Sequence, residues 1–183
     1  MRRGVCAAWA ALAAGAVLLW WSLTVWANFG GNWTALYCTG AKRSVPPELA
    51  ARENIYIFPN SYGFDGQMYH YLAHDPLFRT EIWKHIDAPA YRCRRILVPS
   101  LAYVLAGGNS KCVDPAYLAV ALVFAAAGVY WLGRYAVVRG APARWGLAFL
   151  LIPGVLVSLD RLTVDVALLA LCAGFALYVR EKR

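Results

Sequence analysis

A polar segment in the first half of the chain holds the residue types most able to do chemistry. Residues 63–76 read Gly-Phe-Asp-Gly-Gln-Met-Tyr-His-Tyr-Leu-Ala-His-Asp-Pro, with two carboxylates, two imidazoles and two tyrosines. Carboxylates and imidazoles serve as general acids, general bases and metal ligands. Because the segment lies in a long loop between apolar runs, it predicts a site at a membrane surface, for a substrate that is itself partly lipid.

The composition indicates an integral membrane protein. Of the 183 residues, 61% are hydrophobic and 15% are charged, whereas a soluble domain is about half apolar and a quarter charged. The formal net charge is +8. The basic residues cluster at the ends of apolar runs and do not interleave with aromatic residues in one domain, which argues against a nucleic-acid partner and identifies them as topology signals.

Four segments are predicted to cross the membrane as helices, because each approaches the roughly 20 apolar residues that a span requires. They are residues 5–27, 116–134, 144–160 and 162–180. A further apolar segment, residues 96–106, is too short for a span and contains Pro99. We therefore predict that it forms a re-entrant or juxtamembrane helix in the interface.

The N-terminal run also fits a signal peptide, since Arg2 and Arg3 precede it and Val25-Trp26-Ala27 resembles a cleavage site. Its length exceeds the roughly 7 to 15 apolar residues of a signal peptide, which favours a retained first helix.

The distribution of basic residues predicts the topology. If residues 96–106 do not cross, the N-terminal arginines, the loop with Arg134, Arg139 and Arg144, and the C-terminal basic residues 180–183 all lie in the cytoplasm, as the positive-inside rule requires. The loop of residues 28–115 and the corner at residues 160–165 then share the non-cytoplasmic face. We expect one all-α membrane module over residues 1–183, with short interfacial helices in the outer loop.

Three stretches of the chain resemble a known family. They are residues 63–76, residues 86–99 (Ile-Asp-Ala-Pro-Ala-Tyr-Arg-Cys-Arg-Arg-Ile-Leu-Val-Pro) and residues 158–165 (Ser-Leu-Asp-Arg-Leu-Thr-Val-Asp). The first two are similar to the first outer loop of bacterial GT-C-type membrane glycosyltransferases of cell-surface glycopolymer formation, and more distantly to protein and GPI mannosyltransferases. The third resembles the Arg-x-x-x-Asp corner of that superfamily.

The resemblance implies an enzyme that transfers a sugar from a polyprenyl-phosphate donor to a hydroxyl of a glycan or protein acceptor outside the cell. It implies that Asp65 is the general base, because the attacking hydroxyl must lose its proton. The arginines at 92, 94 and 95 would bind the donor phosphate through bidentate guanidinium groups. Supporting or acceptor-site roles fall to Gln67, Tyr69, His70, Asp75, Arg161 and Asp165.

Each assignment has a structural alternative. Asp65 also suits the cap of a helix that begins near it, Arg94 and Arg95 also suit anchoring at the headgroup layer, and Asp165 also suits an ion pair with Arg161 one turn earlier. No metal site is assigned. A divalent metal bound by His70, His74 and His85 with Asp65, Asp75 and Asp165 stays an open alternative, although the family often has two adjacent acids where this chain has Gly66 after Asp65.

The chain is shorter than glycosyltransferases of this type, so we expect the N-terminal portion of a longer enzyme, a chain that acts with a membrane partner subunit, or a remnant without activity. The alternative function is a non-catalytic membrane subunit that binds lipid-linked glycan or scaffolds a polymer-assembly complex. The Ala, Gly and Arg bias predicts a bacterial plasma membrane. Cys38, Cys93 and Cys112 share the outer loop, where a disulfide and free thiols both fit the sequence.

Overall fold

The computed structural model describes residues 2–182 and is helical almost throughout. Met1 and Arg183, which belong to the two terminal topology signals, lie outside the described residues. The prediction of an all-α fold is confirmed: the strands, β1 (Thr39–Gly40) and β2 (Ile57–Phe58), have two residues each and pair in parallel. The five cysteines are unbridged.

The α-helices in chain order are α1 (Arg2–Phe29), α2 (Pro47–Ala50), α3 (Asp65–His74), α4 (Pro89–Cys93), α5 (Leu97–Leu105), α6 (Ser110–Val138), α7 (Pro153–Asp160) and α8 (Asp165–Glu181). Three 3-10 helices cover Trp33–Tyr37, Glu81–His85 and Ala143–Leu151.

Within residues 2–182, two helices, α1 and α6, are long and apolar enough to cross a membrane. They have 28 and 29 residues, which correspond to about 42 Å at 1.5 Å per residue and exceed the roughly 30 Å hydrocarbon layer. The helix α6 begins at Ser110, six residues before the predicted start of the second span, so that Asp114 and Pro115 lie inside it.

The predicted span over residues 144–160 is bent. The 3-10 helix Ala143–Leu151 and α7 meet at an angle of 65°, and Ile152 between them is extended, with φ −65° and ψ 124°. Proline disfavours the helical conformation in the residue before it, so Pro153 accounts for the break. If the bent pair is one span, the described residues contain three candidate spans. The last predicted span corresponds to α8, which has 17 residues.

The chain divides into two compact units. The first contains residues 2–20, 121–159 and 165–182. Segments of this unit approach one another closely at two glycines. A Cβ on Gly146 would lie 2.3 Å from the carbonyl oxygen of Val129, and a Cβ on Gly128 would lie 2.2 Å from the ring of Phe149. Glycine at these two positions allows the helical segments to approach as membrane helices do.

The second unit contains Trp21–Val120 and Asp160–Val164. At its centre is α3, which packs against α5, the 3-10 helix Glu81–His85 and the 3-10 helix Trp33–Tyr37. Every residue from Gly66 to Ala73 is buried. A helix buried on all sides must satisfy its polar side chains within the protein, and the candidate site lies around α3.

Candidate functional site

Asp65 opens α3 and is held by an arginine from α4. The hydrogen bond from Arg92 Nη2 to Asp65 Oδ1 measures 2.9 Å, and Arg92 Nη1 lies 2.7 Å from Asp65 Oδ2. The residue that caps α3 is Phe64, and no side chain caps it through a hydrogen bond. Asp65 is therefore the first residue of α3 and not its cap, and its carboxylate contacts the Arg92 guanidinium.

Arg92 is itself almost buried and is shared between two acids. Its side chain is 8% exposed, its Nε donates to Asp87 Oδ1 at 2.9 Å, and its guanidinium lies 5.5 Å from the centre of the Tyr69 ring. Asp87 forms a second ion pair with Arg43. Asp65, Arg92, Asp87 and Arg43 thus form an alternating chain of charges, which we call the acid–arginine chain.

The charges in this chain shift one another's pKa. Burial alone would lower the pKa of Arg92, but Asp65, Asp87 and Tyr69 raise it above its ordinary value. Burial alone would raise the pKa of Asp87, yet the hydrogen bonds from Arg92 and Arg43 lower it. Both groups are therefore charged at neutral pH.

The acid–arginine chain lines a small open pocket of about 100 Å³, together with Tyr62, Phe64 and Met68. The Asp65 side chain is 46% exposed there, whereas Arg92 lies beneath it. The pocket thus presents a half-exposed carboxylate whose orientation a buried cation fixes.

The late corner of the chain, Asp160–Val164, lies in the same unit as Asp65. A Cβ on Gly66 would lie 2.0 Å from the Arg161 carbonyl oxygen, and the Tyr117 hydroxyl donates to the Leu162 carbonyl at 2.9 Å. The Arg161 guanidinium lies 5.1 Å from the centre of the Phe64 ring. The structure therefore brings Arg161 beside the residue that precedes Asp65.

Arg161 forms an ion pair with Asp160, and the alternative pair of Asp165 with Arg161 stays a prediction. Arg161 Nε lies 3.1 Å from Asp160 Oδ2. Asp165 begins α8 and belongs to the other compact unit.

The predicted supporting residues of α3 and the turn that follows it are buried. Gln67 and His70 are fully buried, and Asp75 is 4% exposed. Gln67 accepts from the Gly40 amide at 3.1 Å and donates to the Tyr71 hydroxyl at 2.9 Å. Asp75 caps the next turn by accepting from the Arg79 amide and from the Thr80 amide, each at 2.8 Å. These side chains hold the fold around the pocket and do not line it.

Of the other predicted phosphate ligands, Arg94 is exposed and Arg95 is half-buried. Arg95 lies 5.3 Å from the centre of the Tyr91 ring. Both precede α5, whose nine residues extend only about 13 Å. Both arginines therefore lie at the end of a short apolar helix.

A second cluster, which we call the histidine–acid cluster, lies on another side of α3. His70 and His74 are four positions apart and therefore share one helix face. Glu53, from the turn after α2, and Asp114, from the start of α6, approach that face, and one donor atom from each of the four side chains lies within 4.8 Å of the others. This arrangement has the residue types of a metal site.

Several of these contacts were not foreseen from the sequence. Asp87, Arg43, Glu53 and Asp114 were not predicted site residues, and His85, which was considered with His70 and His74, bonds to Ser44 instead. The spacing of His70 and His74 was the one available signal for the histidine–acid cluster, because its two acids are distant in sequence.

No protein-family model, curated protein or solved structure matches this chain. The functional assignment therefore depends on the geometry of the site.

Proposed function

We propose that this protein is a membrane glycosyltransferase, or the N-terminal module of one, of the GT-C type. It transfers a sugar from a polyprenyl-phosphate donor to an acceptor hydroxyl on the non-cytoplasmic face of a bacterial plasma membrane, in the assembly of a cell-surface glycan. The observation that carries the proposal is the half-exposed Asp65 carboxylate, oriented by buried Arg92 at the wall of a pocket.

Asp65 acts as the general base. A carboxylate has about four lone-pair sites, and Arg92 contacts each Asp65 oxygen from one side, at 2.9 and 2.7 Å. Each oxygen keeps a lone pair for the proton of the attacking hydroxyl. The fixed orientation supports catalysis because a general base must lie within hydrogen-bond reach of the proton that it removes.

The donor phosphate requires cations outside the Asp65 pair. Arg92 is buried between two carboxylates, and the phosphate contacts are assigned to the less buried Arg94 and Arg95. Arg43 at the pocket and Arg161 beside Phe64, which also pair with Asp87 and Asp160, are the further candidates. Guanidinium groups suit this role because they bind phosphate oxygens in a bidentate manner. The apolar helix α5 follows Arg95 directly and supplies the surface for the prenyl chain.

The proposed topology has four spans: α1, α6, the bent pair Ala143–Leu151 with α7, and α8. It leaves α5 in the interface, since its nine residues are too few for a span. The presence of Asp160–Val164 in the same unit as the outer loop supports a common, non-cytoplasmic side for both.

One observation favours the alternative function, a non-catalytic membrane subunit that binds lipid-linked glycan or scaffolds an assembly complex. Both Asp65 oxygens already contact Arg92, as in an ion pair that serves only stability. The two functions predict different consequences of removing the Asp65 charge.

The test is complementation of a strain that lacks the gene, with the surface polymer and the lipid-linked glycans as readouts. Asp65→Asn keeps the size of the side chain and one acceptor, and we expect it to abolish polymer formation at a normal level of membrane-inserted protein. The matched control is Glu81→Gln, which removes one negative charge from an exposed pair with Lys84 and is expected to restore the polymer fully.

Full complementation by Asp65→Asn would exclude Asp65 as the base and favour the subunit. If Asp65→Asn loses both the polymer and the membrane-inserted protein, Asp65→Glu is the second variant, because it keeps the carboxylate. We expect this variant to regain part of the enzyme's turnover.

A further inference from the structure

The histidine–acid cluster brings two imidazole nitrogens close to two carboxylates. His70 Nε2 lies 3.0 Å from Asp114 Oδ1 and 3.3 Å from Glu53 Oε2. His74 Nε2 lies 3.2 Å from Glu53 Oε1 and 3.7 Å from Asp114 Oδ1. Each imidazole nitrogen thus faces both carboxylates, instead of pairing with one.

The buried polar atoms of the cluster lack hydrogen bonds of good geometry. They are both ring nitrogens of His70, Nε2 of His74, Oε2 of Glu53 and Oδ1 of Asp114. His70 is fully buried, and the His74 side chain is 3% exposed. Because unsatisfied buried polar groups are rare in native proteins, the cluster calls for a ligand at its centre.

The donor atoms lie close enough together for one metal ion to bind them. Bonds of about 2.0 to 2.1 Å to nitrogen and oxygen give tetrahedral edges of about 3.3 Å. The two imidazole nitrogens lie 3.0 and 3.7 Å from Asp114 Oδ1. Glu53 faces the two histidines with different oxygens, and one donor atom from each residue lies within 4.8 Å of the other three.

The surroundings also fit a metal centre. A histidine ligand usually engages its second ring nitrogen with a neighbouring polar group, which fixes the ring; Nδ1 of His74 lies 3.2 Å from the Ser110 hydroxyl. The His70 ring is held by stacking on Tyr37, with ring centres 4.1 Å apart and planes 10° apart. Both imidazoles are thus oriented by contacts outside the cluster.

We propose that Glu53, His70, His74 and Asp114 bind one divalent transition-metal ion, with zinc as the preferred metal. Two imidazoles with two carboxylates suit zinc and its first-row neighbours, whereas magnesium and calcium prefer oxygen ligands alone. Two carboxylates balance the charge of a divalent ion. Four protein ligands leave no open position, which is typical of a structural site.

The proposed metal fastens three segments that are distant in sequence. Its ligands come from the turn after α2, from α3 and from the first turns of α6, so the ion ties the outer loop to a membrane-crossing helix. Glu53 and Asp114 also border a cleft of about 980 Å³, which gives the metal a route of entry. This inference is independent of the proposed glycosyltransferase activity.

The experiment uses the full chain purified in detergent. Metal content is measured by mass spectrometry after expression with zinc, and the protein stripped with a chelator is then titrated with Co²⁺, whose visible absorption is intense in tetrahedral sites. We expect one metal ion per chain, a Co²⁺ spectrum of the tetrahedral type that zinc removes, and no competition from Mg²⁺ or Ca²⁺ at hundredfold excess.

Variants locate the metal. We expect His74→Ala and Glu53→Gln each to lower the affinity for Co²⁺ at least tenfold. The matched controls are His85→Ala, a histidine of the same loop outside the cluster, and Glu48→Gln on α2, both with unchanged metal content. We expect His74→Cys to retain metal and to show a thiolate-to-cobalt charge-transfer band. This band would not appear if the side chain at position 74 did not bind the metal.

Wild-type protein without bound metal that also fails to bind added zinc or Co²⁺ would overturn the proposal and leave the cluster as paired histidinium and carboxylate ions. Equal metal content in the wild type, His74→Ala and Glu53→Gln would overturn it as well, since the ion would then lie elsewhere.

Discussion

Arg92 and Asp65 face each other across 27 positions of sequence, with two guanidinium nitrogens 2.9 and 2.7 Å from the two carboxylate oxygens. The cation is buried and the anion is half-exposed. Without the Arg92 guanidinium, the half-exposed Asp65 side chain would be free to rotate in solvent. The geometry of the candidate base therefore depends on a residue from α4.

Arg92→Lys is expected to impair the proposed transfer although it keeps the charge. A lysine ammonium is a single point charge without a planar fork, so it cannot hold both Asp65 oxygens and Asp87 at once. Because a misplacement of about 1 Å can cost about a hundredfold in rate, we expect turnover to fall about 10- to 100-fold. The measurement is initial rate in a lipid-donor assay with membranes of equal protein content.

The control for this substitution is Arg79→Lys, an exposed arginine of the same unit, which should keep the wild-type rate. An Arg92→Lys variant with wild-type turnover would show that Asp65 needs no bidentate partner.

Asp87 is expected to make the protein sensitive to acid. Hydrogen bonds from Arg92 and Arg43 outweigh burial and lower its pKa in the folded state. Asp87 therefore adds stability above its unfolded pKa of about 4, and this contribution is lost as the pH falls through the lower, folded pKa. Since the side chain is 35% exposed, solvent screening limits the effect to about 1 kcal/mol.

The variant that tests this linkage is Asp87→Asn, followed by thermal unfolding in detergent from pH 7 to pH 3. It should be less stable than the wild type at pH 7, and the difference should shrink below about pH 4. A constant difference between Asp87→Asn and the wild type across this range would contradict the prediction.

The sequence predicted the parts of this structure that depend on local composition. The apolar runs of α1 and α6 are long enough to be recognised without any tertiary information, and the helix that begins at Asp65 follows from local pattern. The bend at Ile152 was missed even though Pro153 signalled it, because apolar content outweighed the proline in the prediction of a continuous span.

The contacts of the candidate sites were out of reach for a different reason. Asp65 meets Arg92, and His70 meets Glu53 and Asp114, only because buried α3 brings distant segments together. Asp114 was assigned to the loop because charge usually ends an apolar helix, but here α6 begins four residues before it. Such pairings depend on how distant segments pack against one another. Local patterns in a single sequence do not predict that packing.

Gly66→Ala is expected to destabilise the second unit severely. Its Cβ would lie 2.0 Å from the Arg161 carbonyl oxygen and 2.9 Å from the Tyr37 carbonyl oxygen; both atoms belong to the backbone and cannot turn away. Overpacking in a rigid core costs about 1 to 3 kcal/mol or more. The same clash would exclude an aspartate at this position, which gives a steric reason for the glycine.

Gly15→Ala is the matched control. No atom lies within 4 Å of the added Cβ, and in a helix interior alanine is favoured over glycine by about 1 kcal/mol. We expect thermal unfolding in detergent to give a lower midpoint for Gly66→Ala and an unchanged or higher midpoint for Gly15→Ala. Equal midpoints for Gly66→Ala and the wild type would mean that Arg161 does not lie against α3, and the proposed approach of the late corner to Asp65 would be lost.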